Sequence, residues 1–489
     1  MSSELKQKTV SGLFWSLVDN FATYGLAFVI GVILARLLTP SEFGLIGMIM
    51  IFIALSRSVI DSGFSQALIR KKECSETDYS TVFYFNLAAG AILFGVLFWV
   101  APYISSFFNE PRLTSLVRVL GVVLVIDALT IIQRTILTRR LDFKLQTKIS
   151  VVASLVSGAI AIIMAYRGFG VWSLVARQVS QSAFHSLLLW FWNQWRPVWG
   201  FSKDSFRELF SFGSKLLVSG LIDTAYRNIY YLVIGKYFSA TELGYFTRAE
   251  QFKNLPSQNL SGVISRVSFP VLASIQDDLT RLKDYYRKLI RSTMFLTFVL
   301  MLGLSAVAKP TILVLIGEKW RPSIIYLQML CFVGMFYPLN ALNLNMLKVK
   351  GRSDLFLRLE VIKKVLAVPT IIAGILWGIK VMIAGMMVNA VIAYYLNSYW
   401  SGQMIGYPLR DQVKDILPSF LIAVFISVAV FLVGQVFDAI TVLSLTVQLA
   451  TGTILTVGLS ELIRFRDYLF LKNVLFERLV ESSPSRDGL

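Results

Sequence analysis

Two pairs of opposite charges stand four residues apart inside long apolar runs: Arg57 with Asp61, and Asp223 with Arg227. Residues at i and i+4 share a helix face, so each pair can neutralise itself. A charge near the centre of a bilayer costs about 2.5 to 3.5 kcal/mol on insertion scales unless it is paired or hydrated. Further cations, Arg177, Lys215 and Lys253, fall in neighbouring apolar stretches, with Asp19, Asp127 and Glu250 as additional acids. Several of the cations have no acid at helical spacing. The set reads either as structural ion pairs within a bundle or as the lining of a hydrated, partly cationic cavity. Arg177, Gln181 and His185 form a polar stripe at i, i+4 and i+8, expected to face that cavity. The cavity candidates are therefore Arg57, Asp61, Arg177, Gln181, Lys215, Asp223, Arg227 and Lys253.

Other chemistry finds little support. His185 is the only histidine, which argues against metal sites needing several imidazoles and against Ser-His-Asp catalysis. It serves either as a group titrating near neutral pH or as a hydrogen-bonded structural residue. Cys74 and Cys331 have no spacing that suggests a disulfide, a metal site or a redox pair. No P-loop, dinucleotide fingerprint or paired catalytic carboxylates occur in any loop. No metal, cofactor or enzymatic activity is expected. Asp127, Thr130, Gln133 and Arg134, and separately Asn340, Asn343 and Asn345, suit either sugar hydroxyls or hydrogen bonds between helices.

The elements that position these residues are membrane helices. Of 489 residues, 56% are hydrophobic and 16% charged, with a mean hydropathy of +0.66. Apolar stretches of spanning length recur throughout, and period-2 alternation is nowhere sustained, so the expected fold is an all-α polytopic bundle of about 14 transmembrane helices. The spans are placed at 11–37, 43–66, 79–104, 113–137, 148–167, 170–193, 209–235, 243–268, 286–308, 322–347, 356–377, 380–403, 416–437 and 440–463. The first is too long for a signal-peptide core and is expected to stay as an uncleaved anchor.

The net charge of +18 is explained by sidedness. Roughly 32 Lys and Arg fall on the face holding the amino terminus and roughly 10 on the other, which places both termini in the cytoplasm. Basic clusters such as Arg70, Lys71 and Lys72, or Arg139, Arg140, Lys144 and Lys148, read as topology signals against anionic lipid. The same holds for Arg281, Lys283, Arg287 and Lys288, and for Lys348, Lys350 and Arg352. The partner of this charge is the bilayer, not nucleic acid.

One phrase occurs twice: RLLTPSEFG at 36–44 and KYFSATELG at 236–244. Thr39 with Glu42, and Ser239 with Glu242, form S/T-x-x-E capping boxes, the first followed by Pro40 at the first helical position. Each copy closes one helix and opens the next. The duplication predicts two parallel six-helix lobes, 1–200 and 201–405, related by an axis along the membrane normal, plus an additional helix pair at 406–465 outside the transport core. TRRLDF at 138–143 and KGRSDLF at 350–356 echo the repeat. The linker 194–213 mixes aromatic and basic residues and suggests an interfacial helix; the tail 466–489 suggests a short amphipathic helix with a polar end, in the cytoplasm. Pro40, Pro256, Pro270 and Pro338 fall at or inside span ends, where they can kink helices. The outer loops are too short for a catalytic domain.

At the level of longer motifs the chain resembles the polysaccharide flippases of the multidrug/oligosaccharidyl-lipid/polysaccharide exporter superfamily, of the Wzx, colanic acid exporter type. The resemblance covers nearly the whole chain and rests on ILARLLTPSEFGL at 33–45, DSGFSQALIRKKE at 61–73, FPVLASIQDDLTRL at 269–282 and IGEKWRPSIIYLQMLCFVGM at 316–335. It implies a two-lobed bundle with alternating access. The implied substrate is an undecaprenyl-pyrophosphate-linked glycan repeat unit, moved across the bacterial inner membrane for exopolysaccharide, lipopolysaccharide or capsule synthesis. Polysaccharide polymerase and export machinery are the implied partners. The alternatives are a cation-coupled multidrug exporter, which predicts an acidic cavity, and a peptidoglycan-precursor flippase. Of the cavity candidates only Asp61 falls in a family motif, as do Arg36 and the Glu42 and Glu242 caps.

Overall fold

A computed structural model describes residues 22–437 and 439–481. Helices account for nearly all of this length: α1 (Ala22–Leu37), α2 (Pro40–Asp61), α3 (Phe64–Arg70), α4 (Glu76–Phe108), α5 (Leu113–Arg139), α6 (Phe143–Tyr166), α7 (Val171–Trp192), α8 (Lys203–Tyr237) and α9 (Ala240–Ser274) in the first part. They continue as α10 (Leu279–Ala306), α11 (Ala308–Leu315), α12 (Ser323–Met335), α13 (Tyr337–Val349), α14 (Ser353–Trp377), α15 (Ile379–Ile405), α16 (Leu409–Gln435), α17 (Val442–Leu462) and α18 (Arg466–Glu481). The protein is an all-α polytopic membrane bundle. Asp19 and the start of the first expected span lie outside the described residues, as does the end of the tail.

Among the described residues nine helical segments are long and apolar enough to cross a bilayer, counting α2 with α3 and α12 with α13 as single spans. The other long helices, α7, α8, α9 and α14, stand where the sequence places four further spans. They are the more polar of the long helices: α7, α8 and α9 carry Arg177, Arg227 and Lys253, and α14 carries Lys363 and Lys364. Trp99, Tyr103, Phe191 and Leu462 are among the large apolar side chains left exposed on the helices, as a lipid-facing surface requires.

The chain divides into two compact units, 1–247 and 248–489. In the first, α8 packs along α2, so the helix that follows the linker belongs by packing to the helices before it. Its core at one end gathers Phe64, Leu68, Val82, Phe83, Ile132 and Trp195. In the second unit, Tyr286, Met294, Met301, Leu339, Leu342, Met346 and Tyr407 form the core, with Ile416 and Ala423 of α16. The last spans pack on this core: Phe420 meets Phe298 edge-on at 5.2 Å, and α17 packs on α16.

Local chemistry sets the helix ends. Glu42 Oε2 accepts hydrogen bonds from Thr39 N at 2.6 Å and Thr39 Oγ1 at 2.9 Å, and Ser239 Oγ accepts from Glu242 N at 3.1 Å. The first copy forms the expected box, and the second shows the half in which Ser239 caps the helix. Between α2 and α3, Ser62 and Gly63 take left-handed backbone with φ of 45° and 73°, breaking what the sequence presents as one helix. Span ten is likewise interrupted, between α12 and α13, next to Pro338.

The linker corrects an expectation. Residues 193–202 are not helical, and α8 runs unbroken from Lys203, capped by Ser202 Oγ accepting from Ser205 N at 3.2 Å. The segment lies as a strap: Trp195 Nε1 donates to Glu76 Oε2 at 2.7 Å, Val198 N to Ser80 Oγ at 2.9 Å, and Ser202 N to Thr81 Oγ1 at 3.1 Å. Gln133 Nε2 donates to Trp195 O at 3.2 Å. Pro197 has no N–H to continue a helix, and two of the backbone donors that follow it find hydroxyls on α4. The tail forms α18, as expected, and docks by its first turn: Asp467 accepts from Arg291 at 2.9 Å and from Ser419 at 3.1 Å.

Trp195→Ala would empty a buried site and leave Glu76 without its donor, a loss of about 3 to 5 kcal/mol for a buried Trp. A clearly lowered thermal midpoint in detergent is expected. An unchanged midpoint would show that the strap bears no packing load.

Candidate functional site

Seven of the eight cavity candidates fall in the first unit, on α2, α7 and α8; Lys253 is in the second. The helices are brought together by small polar contacts. Ser58 of α2 and Thr224 of α8 share a hydrogen bond of 3.2 Å, which sets the turn holding Asp223 and Arg227 against the middle of α2.

One expected pair is formed and one is not. Arg227 Nε donates to Asp223 Oδ2 at 2.7 Å, the predicted i,i+4 geometry, with the arginine side chain 60% exposed. Arg57 does not pair with Asp61. Its Nε reaches Asp127 Oδ2 on α5 at 2.7 Å. The physical reason is the helix break after Asp61: α3 starts at Phe64 and brings Ser65 round to Asp61, which accepts from both its N and its Oγ. Thr135 of α5 donates to Ser65 in turn, at 3.2 Å. Asp61 therefore braces the α2–α3 elbow.

The α7 stripe lies half-buried within the unit. Arg177 Nη2 donates to the carbonyl of Ala27 on α1 at 3.4 Å, Gln181 follows one turn on, and His185 lies within electrostatic reach of Asp127 and Arg134. Lys215 is exposed on α8. Neither Arg177 nor Lys215 forms an ion pair with a described residue. Lys253 is buried, with Nζ 3.7 Å from Glu250 Oε1 and its stem lying over Gly334, where a Cβ would meet Lys253 Cγ at 3.0 Å. A larger residue at 334 would press on that stem and on Met301 Sδ, 2.9 Å from the same point.

The amide-rich positions divide similarly. Asn343 is helix glue: its Oδ1 accepts from Tyr286 OH at 3.0 Å and from Ser401 Oγ at 2.5 Å. Asn340 accepts from Asn397 at 2.9 Å. Gln133 holds the strap. Asn345 Nδ2 is buried with no hydrogen-bond partner.

Several basic residues of the presumed topology clusters have structural partners. Arg139 donates to the carbonyls of Lys71 and Lys72 at 2.9 and 3.0 Å and to Tyr79 OH at 2.8 Å. Lys71 bonds Glu208 at 2.9 Å and Asp78 at 3.1 Å, and the Glu208 bond raises its pKa above the ordinary lysine value against the opposing effect of partial burial. Arg287 grips Asp415 with two nitrogens, and Asp415 also accepts from Tyr407 OH at 2.7 Å. That network was not read from the sequence, where Asp415 stands alone at the start of a span. No group of three or more metal-ligating side chains occurs among the described residues.

Comparison with known proteins places this geometry. The model of the polysaccharide biosynthesis protein family matches residues 33–325, which include both copies of the repeated phrase. The chain is 27% identical over 419 residues to the lipopolysaccharide biosynthesis protein WzxC of Escherichia coli (strain K12), covering 85% of this chain and 81% of that protein. It is 25% identical over 430 residues to the teichuronic acid biosynthesis protein TuaB of Bacillus subtilis (strain 168), covering 87% and 89%. Among solved structures, the lipid II flippase MurJ in an inward closed conformation superposes with a TM-score of 0.76 over 94% of this chain and 100% of that one, at 16% identity, which shows a shared fold.

The Arg57 pairing is tested by charge exchange. Arg57→Asp alone should lower activity or stability, and Arg57→Asp with Asp127→Arg should restore much of it, whereas Arg57→Asp with Asp61→Arg should not. Equal rescue by both would remove the interhelical assignment.

With a family match over most of its length and relatives that cover more than four-fifths of it, the chain belongs to the polysaccharide biosynthesis protein family, as a multi-pass membrane protein.

Proposed function

We propose that the protein is a flippase that moves an undecaprenyl-pyrophosphate-linked glycan repeat unit from the cytoplasmic to the outer leaflet of a bacterial inner membrane, by alternating access between two lobes. Both termini lie in the cytoplasm on this reading, as the distribution of Lys and Arg implies. The carrying observation is the charge balance of the candidate residues. Arg57, Arg227 and Lys253 each have a carboxylate nearby, while Arg177 and Lys215 have none among the described residues. The excess is positive, in helices of spanning length, where an uncompensated cation is costly unless an anion or water meets it.

A pyrophosphate with anionic sugars supplies that anion. Arg side chains suit it because a guanidinium offers several donors in a fixed plane. Gln181 and the Asp223–Arg227 pair add hydrogen-bonding groups for sugar hydroxyls, and the lipid tail remains in the bilayer. The same sign disfavours export of cationic drugs. The two named relatives are a lipopolysaccharide and a teichuronic acid biosynthesis protein, which agrees with a lipid-linked precursor as cargo; a polymerase and export machinery are the downstream partners on this reading.

Arg227→Glu and Arg57→Glu should abolish translocation of a lipid-pyrophosphate oligosaccharide in proteoliposomes while the protein still elutes as a folded species. A deletion strain should accumulate the lipid-linked intermediate, identified by mass spectrometry. Normal polymer output from both variants would remove the cavity assignment.

A further inference from the structure

The repeated phrase closes on itself. An ideal Cβ on Gly44 would lie 1.6 Å from the carbonyl oxygen of Ala240, and one on Gly244 would lie 1.9 Å from the carbonyl oxygen of Pro40. Positions 40 and 44 of the first copy correspond to 240 and 244 of the second, so the glycine of each copy rests on the first helical residue of the other. An exchange of this kind, in which i touches j and the equivalents of j touch the equivalents of i, marks a local two-fold axis. All four residues belong to the first compact unit.

Such an approach admits only a hydrogen on the α-carbon, and weak Cα–H···O contacts take the place of side-chain packing. Around it, a Cβ on Gly235 would meet Met48 at 2.9 Å and Phe108 at 3.0 Å. Lys236 Nζ sits 4.6 Å from the centre of the Phe107 ring and donates to the Phe107 carbonyl in the last turn of α4, a position where a cation is favoured.

The other end of α2 is closed in the same manner, there against α8. A Cβ on Gly63 would lie 2.6 Å from Gly213 O, and one on Gly213 would lie 2.5 Å from Ser62 O. Arg57, Asp223 and Arg227 lie along α2 and α8 between the two seals. A pathway that runs past these residues cannot have both ends shut throughout a cycle.

We infer that the Gly44–Gly244 seam is the closed form of an exit gate, which Lys236 latches and which must part for cargo to leave. This rests on the transport reading given above. Backbone resting on backbone separates without withdrawing interdigitated side chains, unlike the close-packed core. Neither glycine is a ligand for cargo; both are positioning residues that let the gate shut.

Accessibility of Ala240, 3% exposed at the seam, reports the gate directly. In a Cys74→Ser, Cys331→Ser background, Ala240→Cys should react slowly with a membrane-impermeant maleimide. Adding Gly44→Leu should speed the reaction about tenfold or more, because the larger side chain overpacks the closed state and shifts the population to the open one. Lys236→Met should act in the same direction, and Gly44→Leu should reduce translocation. An unchanged labelling rate with Gly44→Leu in protein that accumulates normally overturns the proposal. Should Gly44→Leu fail to accumulate, an unchanged rate with Lys236→Met overturns it instead. The labelling needs no cargo, so a seam that responds in a protein that moves no glycan would keep the gate and reject the transport reading.

Discussion

The structure depends on one constraint: a charge carried into a spanning helix must find compensation within the bundle. The first unit meets it by crossing between helices. Asp127 of α5 reaches Arg57 of α2, Ser65 and Thr135 take charge of Asp61, and a carbonyl of α1 receives Arg177. The second unit meets it at helix ends, where Asp415 and Asp467 collect Arg287 and Arg291 from successive turns of α10. The arginines of both units are therefore also the cross-links that set helix register.

This dual use explains which features the sequence made legible. Spans declared themselves by apolar length, and the caps at Thr39 and Ser239 by spacing, because both are local. The Asp223–Arg227 pair is local too, and it formed as predicted. Arg57 shows the limit. Two acids were available, Asp61 on its own helix and Asp127 on another, and the choice was made by the break at Ser62 and Gly63, a matter of tertiary packing against Gly213.

The linker shows the same limit from another side. Its aromatic and basic residues have the composition of an interfacial helix, but composition does not reveal that Ser80 and Thr81 offer acceptors to its backbone. Nor does it reveal that Gln133 holds the carbonyl of Trp195. The network of Tyr286, Asn343 and Ser401 joins residues far apart in sequence and was likewise invisible, although amides and hydroxyls in a span do signal that some partner exists.

The strap also bears on the order of assembly. Ten residues pinned to α4 and α5 leave little slack, so α8 is delivered to the side of α2 as soon as it leaves the insertion machinery. The first unit ends at residue 247, so its internal contacts can form before any of the second has been made. Half of the protein can therefore settle during synthesis, with Arg57 of α2 already met by Asp127 of α5 and Arg227 by Asp223 on its own helix.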